Sequence, residues 1–168
     1  GTPTATGTAT TVSGGIYADT TWTKASSPYI VTGVVTLFPG FTLTIEPGVE
    51  VRFSSATTLS IRGNLIAEGT DADRITFTST SPGTRGSWNG VHIANSVGGK
   101  ASIRFVNFSY AEDALYLECC WGGGPVDVHD SVFTNNVYAL SGYAGWLMNV
   151  EGSVFENNSY AVTSADKR

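Results

Sequence analysis

Charge is what this sequence has least of. Asp, Glu, Lys and Arg together make up 14% of its 168 residues, against roughly 25% in an ordinary soluble domain. The 9 cations are scattered and the net charge is −5, so the basic stripe that a nucleic-acid partner requires is missing and that class is excluded. No apolar run approaches the roughly 18 to 20 residues that cross a bilayer as a helix, so no membrane span is expected. Leu, Glu and Lys, which favour helices, are few. There is no initiator Met, basic n-region or signal-peptide core, and Gly1 reads as a processed start or a boundary. Cysteine is limited to 2 residues, Cys119 and Cys120.

What is present instead is the composition of short strands and tight turns. Hydrophobic residues reach 41% and Gly 20 residues, enough for one continuous core in one domain. Ser and Thr fill most other polar positions. Two Asn-x-Ser patterns, Asn107-Phe108-Ser109 and Asn157-Asn158-Ser159, make Asn107, Asn157 and Asn158 candidate glycan carriers and suit an extracellular or cell-surface location.

Self-comparison is the most informative step. Val128-His-Asp-Ser-Val-Phe-Thr-Asn-Asn136 recurs as Val150-Glu-Gly-Ser-Val-Phe-Glu-Asn-Asn158, 22 residues on. Further back, Phe108 precedes Phe133 by 25 and Gly90-Val91 precedes Ala114-Leu115 by 24. An irregular period of this size holds three short strands and three bends. In the first half, Val35-x-Leu37, Leu43-x-Ile45, Val49-x-Val51-x-Phe53, Leu59-x-Ile61 and Ile75-x-Phe77 alternate with period two. Pro39-Gly40, Pro47-Gly48 and Pro82-Gly83 punctuate them. The expected fold is all-β, a parallel β-helix of about five rungs between Val34 and Ser164. A Greek-key sandwich also uses short strands, but it does not repeat a whole strand-turn-strand unit. Val91, Ile93, Val126 and Val128 are expected inside. Asn136 and Asn158 are expected in one bend, at positive φ and with stacked amides.

The stretches Leu43-Thr-Ile-Glu-Pro-Gly48, Gly63-Asn-Leu-Ile-Ala-Glu-Gly69, Ile75-Thr-Phe-Thr-Ser79 and Trp88-Asn-Gly-Val91 resemble the right-handed parallel β-helix repeats of bacterial secreted and cell-surface proteins, of the pectate-lyase-like superfold. The resemblance implies a fold and leaves activity open, because that superfold includes lyases, hydrolases, adhesins and inert stalks. Residues 1–15 read as a Thr/Gly/Ala-rich arm, residues 16–33 as an N-terminal cap and residues 34–168 as the β-helix proper.

Stacking equivalent positions yields an outward column, Arg104–His129–Glu151, beside a second, Ser102–Asp127–Asn149. With rungs about 4.8 Å apart, Glu151 lies within reach of His129. Arg104, His129 and Glu151 are the only catalytic candidates, and a solvated cross-rung ladder is the simpler reading. No metal or cofactor is expected. A second candidate site is aromatic: Trp88, His92, Tyr116, Trp121, Tyr143 and Trp146 gather around one strand column and its following loops. Flat rings on one face suit stacking on sugars, and a small satellite core under the loops is the alternative. For Cys119-Cys120 a vicinal disulfide, two thiols and an intermolecular bridge all remain open. The expected function is a non-catalytic extracellular module with a structural or surface-assembly role, such as a stalk, surface-layer or filament subunit. A carbohydrate-binding face is the alternative, followed by a polysaccharide lyase or hydrolase. Nothing after Val162 is apolar enough to cover the last rung, which leaves two expectations: a native protein that continues beyond Arg168, or end-to-end self-association through that rung and the Gly1–Val12 arm.

Overall fold

The computed structural model describes residues 8–118, 124–142 and 148–164. The chain winds through six coils, preceded by β1 (Thr10–Ile16). Coil one holds β2 (Thr20–Trp22) and a long β3 (Tyr29–Leu37) that serves two sides of the coil. Coil two holds β4 (Thr42–Ile45), β5 (Glu50–Phe53) and β6 (Thr58–Ile61). Coil three holds β7 (Asn64–Glu68), β8 (Ile75–Ser79) and β9 (Trp88–Ala94). Coil four is β10 (Lys100–Arg104), β11 (Val106–Ser109) and β12 (Ala111–Glu118). Coil five is β13 (Val126–His129), β14 (Val132–Thr134) and β15 (Tyr138–Gly142). Coil six is β16 (Met148–Glu151), β17 (Val154–Glu156) and β18 (Tyr160–Ser164).

Every strand pairs in parallel with its equivalent one coil away, which makes three continuous columns: β2-β4-β7-β10-β13-β16, β3-β5-β8-β11-β14-β17 and β3-β6-β9-β12-β15-β18. The fold is the expected parallel β-helix, with six coils rather than five. The difference lies at the start. Thr20–Trp22 and Tyr29–Val31, inside the stretch read as a cap, pair in register with Leu43–Ile45 and Val51–Phe53 and so form a coil of their own. Thr10–Ile16, within the stretch read as a linker, is a strand paired along β3.

The interior is a set of side-chain columns, because in-register parallel pairing places like residues over like. One wall carries Ile45, Ala67, Ile103, Val128 and Val150. The second carries Tyr29, Val51, Phe77, Phe108, Phe133 and Phe155, whose last three rings stack at 4.7 and 5.2 Å between centroids. The third carries Val35, Leu59, Val91, Leu115, Leu140 and Val162. Val91, Ile93, Val126 and Val128 are fully buried, as expected.

Bends between columns need backbone that L-residues seldom adopt. Positive φ falls at Asn135 (58°) and Asn157 (52°), one residue before the expected Asn136 and Asn158. Asn135 and Asn157 turn the chain, which frees the following Asn to point inward and bond across coils.

Candidate functional site

The outward face of the first column carries the polar candidates in register: Glu68 beside Arg104, Arg104 beside His129, and His129 beside Glu151. His129 Nδ1 lies 3.5 Å from Glu151 Oε2, with the imidazole 23% and the carboxylate 76% exposed. Glu68 was not legible from the period, because an offset of 36 separates Asn64 from its register partner Lys100. Its Oε1 accepts a hydrogen bond from Ser102 Oγ at 2.6 Å. Ser102, Asp127 and Asn149 stack alongside. This is a polar ladder in which Glu68 and Glu151 are exposed and Asp127 is half-buried. Along the column itself, Glu68 and Glu151 stand three coils apart, while Asp127 of the neighbouring column lies one coil from Glu151.

The aromatic candidates separate. Trp88 belongs to the core: it is fully buried, stacks on Phe53 at 3.9 Å and donates Nε1–H to Ser109 O at 2.9 Å. Its place on a sugar-binding face is therefore withdrawn. His92 and Tyr116 do neighbour each other across coils, half-buried with ring centroids 5.1 Å apart, in a column continued by Ser60 and Ser141. Trp121, Tyr143 and Trp146, with Cys119 and Cys120, lie outside the described residues. An outward pair that the sequence reading missed, Tyr138 over Tyr160, stacks at 5.0 Å, and its signal was the repeated Tyr-Ala-apolar triplet.

Of the candidate glycan carriers, Asn157 sits exposed at a bend. Asn107 is half-buried, its Oδ1 accepting from Arg74 Nε at 2.8 Å. Asn158 is committed to the coil below: Nδ2 donates to Phe133 O and Oδ1 accepts from Asn136 N–H.

The most distinctive surface is the far end of the stack. Leu140 is 3% exposed, whereas its register partner Val162 is 69% exposed. Val150, Val154 and Tyr160 are also exposed. A cavity of about 550 Å³ opens there, lined by Leu117, Leu140, Met148, Phe155 and Val162. At the other end, β1 lies over both sides of the coil that β3 forms.

The fold thus places the chain among parallel β-helix proteins. No family model matches the chain, and no solved structure matches it. A stretch of 56 residues is 39% identical to Protein bark beetle of Drosophila melanogaster, which covers 33% of this chain and 2% of that protein. The chain therefore corresponds to a small fraction of the length of that relative.

Proposed function

We propose that the chain is a non-catalytic extracellular β-helix module with a structural or surface-assembly role, as a segment of a stalk, surface layer or filament. The observation that carries this reading is the open sixth coil. Its interior positions are the repeat equivalents of sealed ones, yet Val150 and Val162 are exposed at the end of the stack, an apolar surface suited to contact with more β-structure. Kinship with the right-handed, pectate-lyase-like repeats of secreted and surface proteins belongs to the same proposal. The decisive assay is product release from acidic polysaccharides, with and without calcium. No release is expected from wild type. Release that disappears in Arg104→Ala or Glu151→Gln would replace this reading by a lyase or hydrolase. The location is tested by thiol titration of unreduced native protein, where no free thiol at Cys119 and Cys120 is expected for an oxidising compartment.

A carbohydrate-binding face is the second reading, favoured by the half-buried His92–Tyr116 pair in register on one column. A glycan array with Tyr116→Ala, Trp121→Ala and Trp146→Ala controls separates it. Absence of wild-type binding removes it.

A further inference from the structure

The fold treats the two Asn-x-Ser patterns of the chain differently. Asn107 lies within β11, between Thr76 of the coil below and Val132 of the coil above. Its Oδ1 accepts from Arg74 Nε at 2.8 Å. Arg74 is fixed in turn, its Nη2 donating to Asp130 O at 2.6 Å and its guanidinium carbon 5.5 Å from the centre of the Phe105 ring. The hydroxyl of the same pattern is also engaged, Ser109 Oγ donating to Thr78 Oγ1 at 2.9 Å. A bulky substituent on Asn107 would have to break this packing.

The second pattern stands clear of the packing. Asn157 turns the bend between β17 and β18 at φ 52° and is exposed, and among the described residues its carboxamide makes no hydrogen bond. The position keeps solvent contact under a further coil as well. Asn135, its equivalent 22 residues earlier, turns at φ 58° and is partly exposed with coil six over it. The two bends differ two residues on, where Val137 follows Asn135 but Ser159 follows Asn157. The repeat thus needs its Asn for the turn in both coils and completes the acceptor pattern in one. Ser159 is exposed, and its Oγ accepts from Arg85 Nη1 at 3.2 Å.

We propose that Asn157 carries an N-linked glycan and that Asn107 does not. In the transfer, Asn157 Nδ2 forms a bond to the anomeric carbon of an oligosaccharide. The bond from that carbon to a lipid pyrophosphate donor breaks, the pyrophosphate leaves, and Nδ2 gives up one proton. The inference rests on the extracellular placement above, since this pattern is modified on surface segments of secreted proteins. It also gives the module a sided surface. A bulky, solubilising glycan keeps the corner between the second and third columns in water, so contacts with neighbouring modules fall on the other sides.

Peptide mass spectrometry of the protein from its native source tests this, after digestion with a peptide N-glycosidase in heavy-oxygen water. The digestion converts each glycosylated Asn to Asp and marks it with the heavy isotope. The mark is expected at Asn157 and absent from Asn107 and Asn158, and the intact mass should fall on digestion. Ser159→Ala is expected to lose the glycan and Ser159→Thr, which keeps a hydroxyl at that spacing, to retain it. An intact mass unchanged by digestion overturns the proposal, as does a mark at Asn107 or a glycan that persists in Ser159→Ala. Thiol titration separates this failure from failure of the extracellular placement. No glycan and no free thiol at Cys119 and Cys120 overturns the glycan alone, whereas no glycan and two free thiols overturns the placement with it. The structural reading falls separately, on the polysaccharide assay.

Discussion

Asn158 reaches back one coil and holds Asn136 twice, its Oδ1 accepting both the backbone N–H and the Nδ2–H of Asn136 at 3.0 Å. Asn136 does the corresponding work below: it accepts from Ala111 N–H and donates to Phe108 O at 3.2 Å. Both serve backbone groups at bends, where the sheet ladder is interrupted and a buried polar group would otherwise lack a partner. These bonds run in both senses, each Asn accepting from the bend amide of the coil below and donating to a carbonyl there. The bend amides of Val106, Ala111, Ser131 and Asn136 are bonded by side-chain oxygens of the following coil, and among the described residues those of Ser153 and Asn158 are not.

Replacing Asn136 by Ala should therefore be expensive. Ala111 N–H and Phe108 O both lose partners in a buried bend, at about 1–3 kcal/mol each. The expected loss in chemical denaturation is about 2–4 kcal/mol with an unchanged denaturant slope. Asn158→Ala, at a half-buried site, should cost less, about 1–2 kcal/mol. An equal or greater cost at Asn158 would contradict the difference in burial between the two bends.

Leu140 and Val162 occupy one interior column but differ in cover. Leu140→Asp buries an unpaired carboxylate between two coils and should abolish cooperative folding. Val162→Asp should shift the thermal midpoint by only a few degrees, about 1 kcal/mol or less. A soluble Leu140→Asp protein with wild-type melting would refute the register.

Gly90 has φ +129°, and a Cβ there would stand 1.6 Å from Asp113 O on the next coil. Gly90→Ala should thus cost more than about 3 kcal/mol, since backbone has to move apart. At Gly40, with φ +86° and nothing within 4 Å, the same change meets only the left-handed penalty of about 1–2 kcal/mol. Thermal melts of the two variants side by side decide the point.

Gly90 also explains why Trp88 was misplaced. Counting alternation back from inward Val91 puts Trp88 on the outer face, yet Trp88, Gly90 and Val91 are all buried. Gly90 bends at positive φ and slips the parity by one, opposite the irregularity between Asp113 and Leu115. A period-two count cannot detect such a slip, because it depends on backbone that only glycine adopts readily. The second half of the fold was legible because its last two coils differ by 22 residues without insertion, as the Asn136–Asn158 bonds record. The Arg104–His129–Glu151 column followed from that spacing and is present. Glu68 escaped because the segment Thr80–Ser87 inside its coil and the turn at Asn95–Val97 after it lengthen the interval to the next coil. The first coil escaped because β3 covers two sides without a Gly-Pro break, so it did not read as two strands.

The exposed His129–Glu151 pair yields a milder expectation. Glu151→Gln should change stability by less than about 0.5 kcal/mol, as is usual for pairs open to solvent. A loss above about 2 kcal/mol in denaturant titration would show that the ladder is structural rather than solvated.

Residue-resolved hydrogen exchange of the bend amides, measured first at high dilution and then at high concentration, tests the central claim most directly. At high dilution the Ser131 and Asn136 amides should exchange slowly and the Ser153 and Asn158 amides near the rate of an open chain, since only the first two have acceptors from the coil above. At high concentration Ser153 and Asn158 should become protected while Ser131 and Asn136 remain so. Ser153 and Asn158 amides as slow at dilution as those of Ser131 and Asn136 would contradict the open sixth coil, and amides fast at every concentration would contradict its proposed part in assembly.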